Sequence, residues 1–167
     1  MSQIIASRLT AIRSEMAKDN LDAYIIPRAD EYLGEYVPER NERLHWATDF
    51  TGSAGMAIVL KDSAAIFVDG RYTVQVASQV DADLFKYCSL VDDPQIEWLI
   101  DTLPANSRIG FDARLHPFNW QQTADAKLKQ AHMTLLAVDN NPIDLHWQDR
   151  PALSDAPAIL FSDSLAG

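Results

Sequence analysis

The chain has 167 residues, a formal net charge of −10, 47% hydrophobic residues and 23% charged residues. This length supports one domain with a real core, and the composition is that of an ordinary globular chain. The acidic balance argues against nucleic acid, whose phosphates attract Lys and Arg, and no run approaches the ~20 apolar residues of a membrane helix. Met1 to Ala6 lacks the basic start and apolar stretch of a secretory signal, so a cytoplasmic protein with no membrane partner is expected. The single cysteine, Cys88, leaves no intrachain disulfide and no cysteine-rich zinc site. It reads as an inert strand thiol, with nothing nearby in sequence to activate it.

Ile4, Ile5, Leu9, Ile12 and Met16 recur at helical spacing, so an amphipathic helix starts from a Ser2 cap and ends at Asp19-Asn20. Ala23–Ile26 reads as a short buried strand that Pro27 stops. Arg28 to Pro38 reads as a long loop carrying Tyr32 and Tyr36, and Glu39 to Ala47 as a short helix. A turn-rich stretch, Thr48 to Gly55, leads to strands Met56–Leu60 and Ala64–Val68. The tight Lys61-Asp62-Ser63 link makes these an antiparallel hairpin.

Arg71 to Val80 is expected as a helix with Val74, Ala77 and Val80 inward, followed by a strand at Leu84–Leu90. Asp93-Pro94 resembles a helix start, with Asp at the cap, for a helix carrying Ile96, Leu99, Ile100 and Leu103. Arg108–Phe111 is a further buried strand. Pro117 opens a helix to about Ala131 with Trp120, Ala124 and Leu128 as its stripe, and Met133–Val138 is a last strand. The order implies an α/β domain with a mixed sheet. From Asn140 the prolines multiply, and residues 141–157 read as a connector, not a core segment. Ala158–Phe161 then reads as a strand opening a second unit that is cut short at Gly167. No internal repeat is evident.

Asp69-Gly70-Arg71-Tyr72 carries the clearest functional signal. Gly70, after the Ala64–Val68 strand, permits a sharp turn that sets the Arg71 guanidinium at the carboxyl edge of the sheet, where open α/β sheets hold ligands. Residue by residue, Arg71 could equally pair with Asp69 or cap a helix. His45, His116, His132 and His146 are too far apart in sequence for a local metal motif, with His116 placed at a helix entrance and His146 in an exposed connector. The pairs Asp81/Asp83 and Asp92/Asp93 suit capping and loop roles. Thr51-Gly52-Ser53-Ala54-Gly55 is neither a phosphate loop nor a nucleophile elbow, and reads as a structural turn.

Taken together, Asp22 to Pro27, Glu35-Tyr36, Phe50 to Gly55, Asp69 to Tyr72 and Trp147 to Pro151 resemble the N-terminal domain of Xaa-Pro aminopeptidase in its three-domain form. The resemblance implies a ribonuclease-H-like creatinase/prolidase N-terminal domain, a three-layer α/β/α fold with a mixed sheet. It divides the chain into that domain (1–140), a connector (141–157) and the truncated start of a second similar domain (158–167), with the catalytic pita-bread domain absent. It implies no catalytic or metal-binding residue here, and no cofactor in this fragment, which alone is expected to be inactive.

In the full-length enzyme it implies two divalent metal ions, manganese, on two Asp, one His and two Glu. The implied partners are a peptide substrate with proline at the second position and a second copy in a homodimer. Arg71 matches the arginine of the family's Asp-Gly-Arg-Tyr motif, which contributes to substrate binding; Tyr72 is assigned to packing. Two alternatives share the fold: a non-enzymatic peptide- or histone-binding module, and the N-terminal domain of a prolidase or creatinase.

Overall fold

The computed structural model describes residues 2–157. Among these residues six strands form one sheet: β1 Ala23–Pro27, β2 Gly55–Leu60, β3 Ala64–Val68, β4 Lys86–Ser89, β5 Arg108–Phe111 and β6 Thr134–Ala137, in the order β4-β3-β2-β1-β5-β6. β2 pairs antiparallel with both β1 and β3, while β3–β4, β1–β5 and β5–β6 are parallel. Every strand except β2 therefore ends at the same edge of the sheet. The expected hairpin is present, with Lys61-Asp62-Ser63 as its turn.

Alternation along the strands splits the core in two, because successive side chains leave a strand on opposite faces. Tyr24, Ile26, Val59, Ile66 and Val68 face one cluster. That face is covered by α1 Ser2–Lys18, α2 Arg43–Thr48, α3 Thr73–Gln79 and α6 Pro142–His146. Ile25, Ile58, Phe67, Ile109 and Phe111 face the other, covered by α4 Gln95–Thr102 and α5 Phe118–Gln130. The result is the expected three-layer arrangement with a mixed sheet. Ile5, Leu9, Ile12 and Met16 form the buried stripe of α1. Fully burying one such side chain contributes roughly 1.5–3 kcal/mol.

Three local expectations are corrected. Val74 is 82% exposed and Ala77 is also exposed, whereas Val76 and Val80 are buried. A 3-10 turn over Gly70–Tyr72 precedes α3 and shifts its phase, since 3-10 and α-helical turns advance by different angles. Asp93 does not cap α4; its carboxylate accepts the Ser89 amide instead, at 2.9 Å. His146 is not a free connector residue, because α6 packs on α1 and brings His146 Nε2 to 2.7 Å from Glu15. Ile143 of α6 is fully buried, and the Trp147 ring stacks on Trp46 with centroids 6.1 Å apart. The strand expected at Ala158–Phe161 and the unit expected over 158–167 lie outside the described residues.

Candidate functional site

The edge where β1, β3, β4, β5 and β6 end gathers the polar side chains of interest. At the end of β3 the Asp69 carboxylate folds back on the next turn. Its Oδ1 accepts the Arg71 amide at 3.0 Å and Arg71 Nε at 2.8 Å. These hydrogen bonds, the backbone one first, hold the Asp69 carboxyl below its ordinary value. The hydrogen bond to Asp69 in turn raises the Arg71 guanidinium, which stays charged throughout.

The Arg71 side chain is nevertheless 70% exposed. An ion pair this open adds little stability, so its effect is orientation. Nε is engaged, and among the described residues no hydrogen bond reaches Nη1 or Nη2. Sequence reasoning left pairing and ligand binding as alternatives; the geometry accommodates both at once. Gly70 is not needed for the turn, since its backbone lies outside the left-handed region and a Cβ there would meet nothing within 4 Å. The sharp turn is instead closed by Asp69.

Tyr72 packs edge-on against Phe50, with centroids 5.8 Å apart, and its hydroxyl lies 2.5 Å from Ser53 Oγ. That hydrogen bond lowers the Tyr72 phenol from its ordinary value. The Thr51–Gly55 stretch is the structural turn expected. A Cβ on Gly52 would lie 2.2 Å from the Phe50 ring, so that ring would have to move, and one on Gly55 would sit tightly at 3.1 Å from the Phe67 carbonyl.

The rim continues through Arg28, just after β1. Its Nη1 donates to the Glu35 and Ser53 carbonyls, both at 3.4 Å, and its Nη2 pairs with Glu42 at 3.0 Å. The loop carrying Glu35-Tyr36 is thereby tied to the turn that holds Tyr72. Buried Asp30 shapes the same loop, its Oδ1 accepting the Tyr32 and Gly34 amides at 3.0 Å each. Tyr32 and Tyr36 project outward, 89% and 86% exposed.

β5 ends in the same way as β3. Asp112 accepts the Arg114 amide at 3.1 Å, Arg114 Nε at 3.0 Å and Nη2 at 2.7 Å, within another 3-10 turn, Ala113–Leu115. Burial pushes the Asp112 carboxyl up, and hydrogen bonds from Arg114 and Asn141 more than reverse it. This strand–Asp–x–Arg recurrence went unnoticed in the sequence, where Asp69-Gly-Arg71 and Asp112-Ala-Arg114 share only two letters. The two arginines differ in use: Asp112 grips its guanidinium through two nitrogens, Asp69 through one.

The remaining candidates are structural. His116, 6% exposed, stacks on Trp120 at 3.9 Å at the entrance of α5, and burial lowers it to about 4. Cys88 is buried and its thiol is pushed up by that burial. Asp81 accepts the Asp83 amide at 2.9 Å in a loop. Among the described residues no group of three or more His, Cys, Asp or Glu could hold a metal ion. Among them, too, no helix is long and apolar enough to cross a membrane.

A family model described as the creatinase/prolidase N-terminal domain matches residues 8–141. Human Xaa-Pro aminopeptidase 2 is 35% identical over 160 residues, covering 95% of this chain and 24% of the relative. Aminopeptidase P1 from Arabidopsis thaliana is 30% identical over 170 residues, covering 100% of this chain and 26% of the relative. The chain thus spans about a quarter of the length of the curated relatives it matches. Among solved structures, X-prolyl aminopeptidase from Caenorhabditis elegans, described as a cytosolic enzyme with a di-nuclear active site, superposes with a TM-score of 0.85. It is 26% identical and covers 90% of this chain and 26% of that one.

Proposed function

Because this chain belongs to the creatinase/prolidase N-terminal domain family, we propose that it is the non-catalytic front domain of a metal-dependent Xaa-Pro aminopeptidase, with Arg71 binding the peptide. The observation that carries this reading is the Arg71 guanidinium, held by its Nε against Asp69 and exposed at the carboxyl edge. A planar cation so oriented suits a peptide carbonyl or carboxylate on the leaving side of the cleaved bond, which can take two parallel N–H donors.

Removal of a residue that precedes proline is a distinct task, because the scissile bond is a tertiary amide without an N–H. In this reading a pair of divalent ions, manganese, bound by the full-length polypeptide would supply Lewis-acid chemistry at that bond. The domain itself contributes binding and packing in this reading, and the fragment alone does not cleave peptides. The reading also places the protein in the cytoplasm, as a homodimer.

The test is Arg71→Ala in the full-length polypeptide. Loss of a charge-assisted hydrogen bond is worth about 1.5–3 kcal/mol, which is about 10- to 100-fold in kcat/KM on a Xaa-Pro tripeptide. An unchanged kcat/KM with an intact fold refutes the assignment of Arg71.

A further inference from the structure

Behind the rim lies a closed ring of five side chains drawn from four separate stretches of the chain. Arg43 is its centre: its side chain is 1% exposed although it is a guanidinium. Arg43 Nε and Nη2 donate to the two carboxylate oxygens of Asp144 at 2.7 and 2.9 Å. Nη2 also donates to Glu31 Oε1 at 2.8 Å. The other Glu31 oxygen accepts Asn41 Nδ2 at 2.7 Å. Asn41 Oδ1 accepts Arg150 Nη2 at 3.4 Å, and Arg150 Nη1 returns to Asp144 Oδ2 at 2.9 Å.

Two cations and two carboxylates leave the ring electrically neutral. Its members come from the rim loop (Glu31), the turn before α2 (Asn41), α2 itself (Arg43) and the segment leaving the domain (Asp144, Arg150). A second set of bonds doubles the last link: Arg150 Nε donates to the Arg40 carbonyl at 2.7 Å, and Arg40 Nη1 to the Pro151 carbonyl at 3.3 Å.

A buried guanidinium demands its carboxylates, since removing one strands an uncompensated charge. Such networks also act as units rather than as sums of pairs. The rim loop has few other anchors. Tyr32, Leu33 and Tyr36 are exposed, and apart from Glu31 the loop is held by Asp30 within itself and by Arg28.

We propose that Arg43 is a positioning residue for the peptide-binding edge, coupling the rim loop to the exit segment so that the two shift together. This rests on the reading above only in calling that edge a peptide site. Any change in the direction in which residues 147–157 leave the domain is then felt by the loop that carries Glu35-Tyr36, and peptide seated at the rim stiffens the exit in return, because coupling between sites is reciprocal.

Arg43→Met removes the hub and can unfold the domain, so the test uses the two ends of the ring. Amide hydrogen exchange is measured on the wild-type chain, on Asp144→Asn and on Glu31→Gln. Tyr32 and Gly34 amides report the rim, Trp147 and Arg150 amides the exit, and the Ile58 amide in β2 reports global opening. The coupling predicts that Asp144→Asn speeds Tyr32 and Gly34 exchange at least about 5-fold, that Glu31→Gln does the same to Trp147 and Arg150, and that Ile58 keeps its wild-type rate. Effects confined to the mutated end overturn the proposal.

In the full-length polypeptide, assayed on Ala-Pro-Ala, Asp144→Asn raises KM several-fold and leaves kcat within about 2-fold, a split that a general loss of fold would not produce. Equal falls in kcat and kcat/KM overturn the positioning role. If exchange is coupled but Arg71→Ala leaves peptide cleavage untouched, the ring stands and the peptide reading fails.

Discussion

Protonation of His116 should destabilise the domain in a pH window of its own. The imidazole is 6% exposed, stacked on Trp120 at 3.9 Å and 5.7 Å from the Phe111 ring centroid. Burial lowers it from 6.5 to about 4, so the folded state holds it neutral while the unfolded chain protonates near 6.5. The unfolded state therefore binds more protons between these values, and stability falls as pH drops from about 6.5 towards about 4. A displacement of this size is worth about 2 kcal/mol at pH 5 relative to pH 7, a large share of a typical folding free energy.

Carboxyls such as Asp112 and Asp69, held below their ordinary values, add losses at lower pH, as it falls through the carboxylate range. Between pH 7 and 5 the histidine dominates. The assay is urea unfolding of wild type and His116→Phe at both pH values. Phenylalanine keeps a flat ring against Trp120 but carries no proton, so its stability should change about 2 kcal/mol less than that of wild type over this interval. Identical pH dependence in the two proteins would refute the account of a buried neutral imidazole.

Gly110→Ala should be costly, because a Cβ there would lie 2.4 Å from Leu21 Cδ1 and 3.1 Å from the Tyr24 ring. A loss of about 1–3 kcal/mol is expected by urea titration. Gly70→Ala, by contrast, should leave the unfolding midpoint within about 0.5 kcal/mol of wild type, since its Cβ enters open space. Cys88 is buried with its thiol pushed up, so a thiol-reactive dye at pH 7 should label it only in denaturant; fast native labelling would contradict its placement.

The strands were the most legible part of the chain. Ala64–Val68 and Arg108–Phe111 are apolar runs between turn residues, and both fold over those bounds. Helix faces were less so: the phase of α3 depends on the 3-10 turn that Asp69 closes, and nothing in Val74 or Ala77 signals it. The placement of Arg71 at the edge of the sheet was legible because Asp69-Gly70 follows the apolar run of β3 directly. Arg43 was not. It sits in Glu39-Arg40-Asn41-Glu42-Arg43, a polar run that reads as solvent-facing, and its carboxylate partners lie 12 and 101 residues away. Sequence spacing carries no trace of a contact that only the tertiary fold creates. The 141–147 segment misled for a similar reason: its prolines read as a connector, but Ile143 and Trp147 are anchors that only α1 and α2 reveal.

Because one strand alone runs against the other five among the described residues, the sheet has two poles of unequal character. Lys61-Asp62-Ser63 lies at the pole away from Arg71, separated from it by the five residues of β3, roughly 17 Å. All three residues are exposed. A fluorophore or surface linker grafted at Asp62 would therefore leave the rim unobstructed, giving a handle from which the opposite pole can be watched while it is engaged.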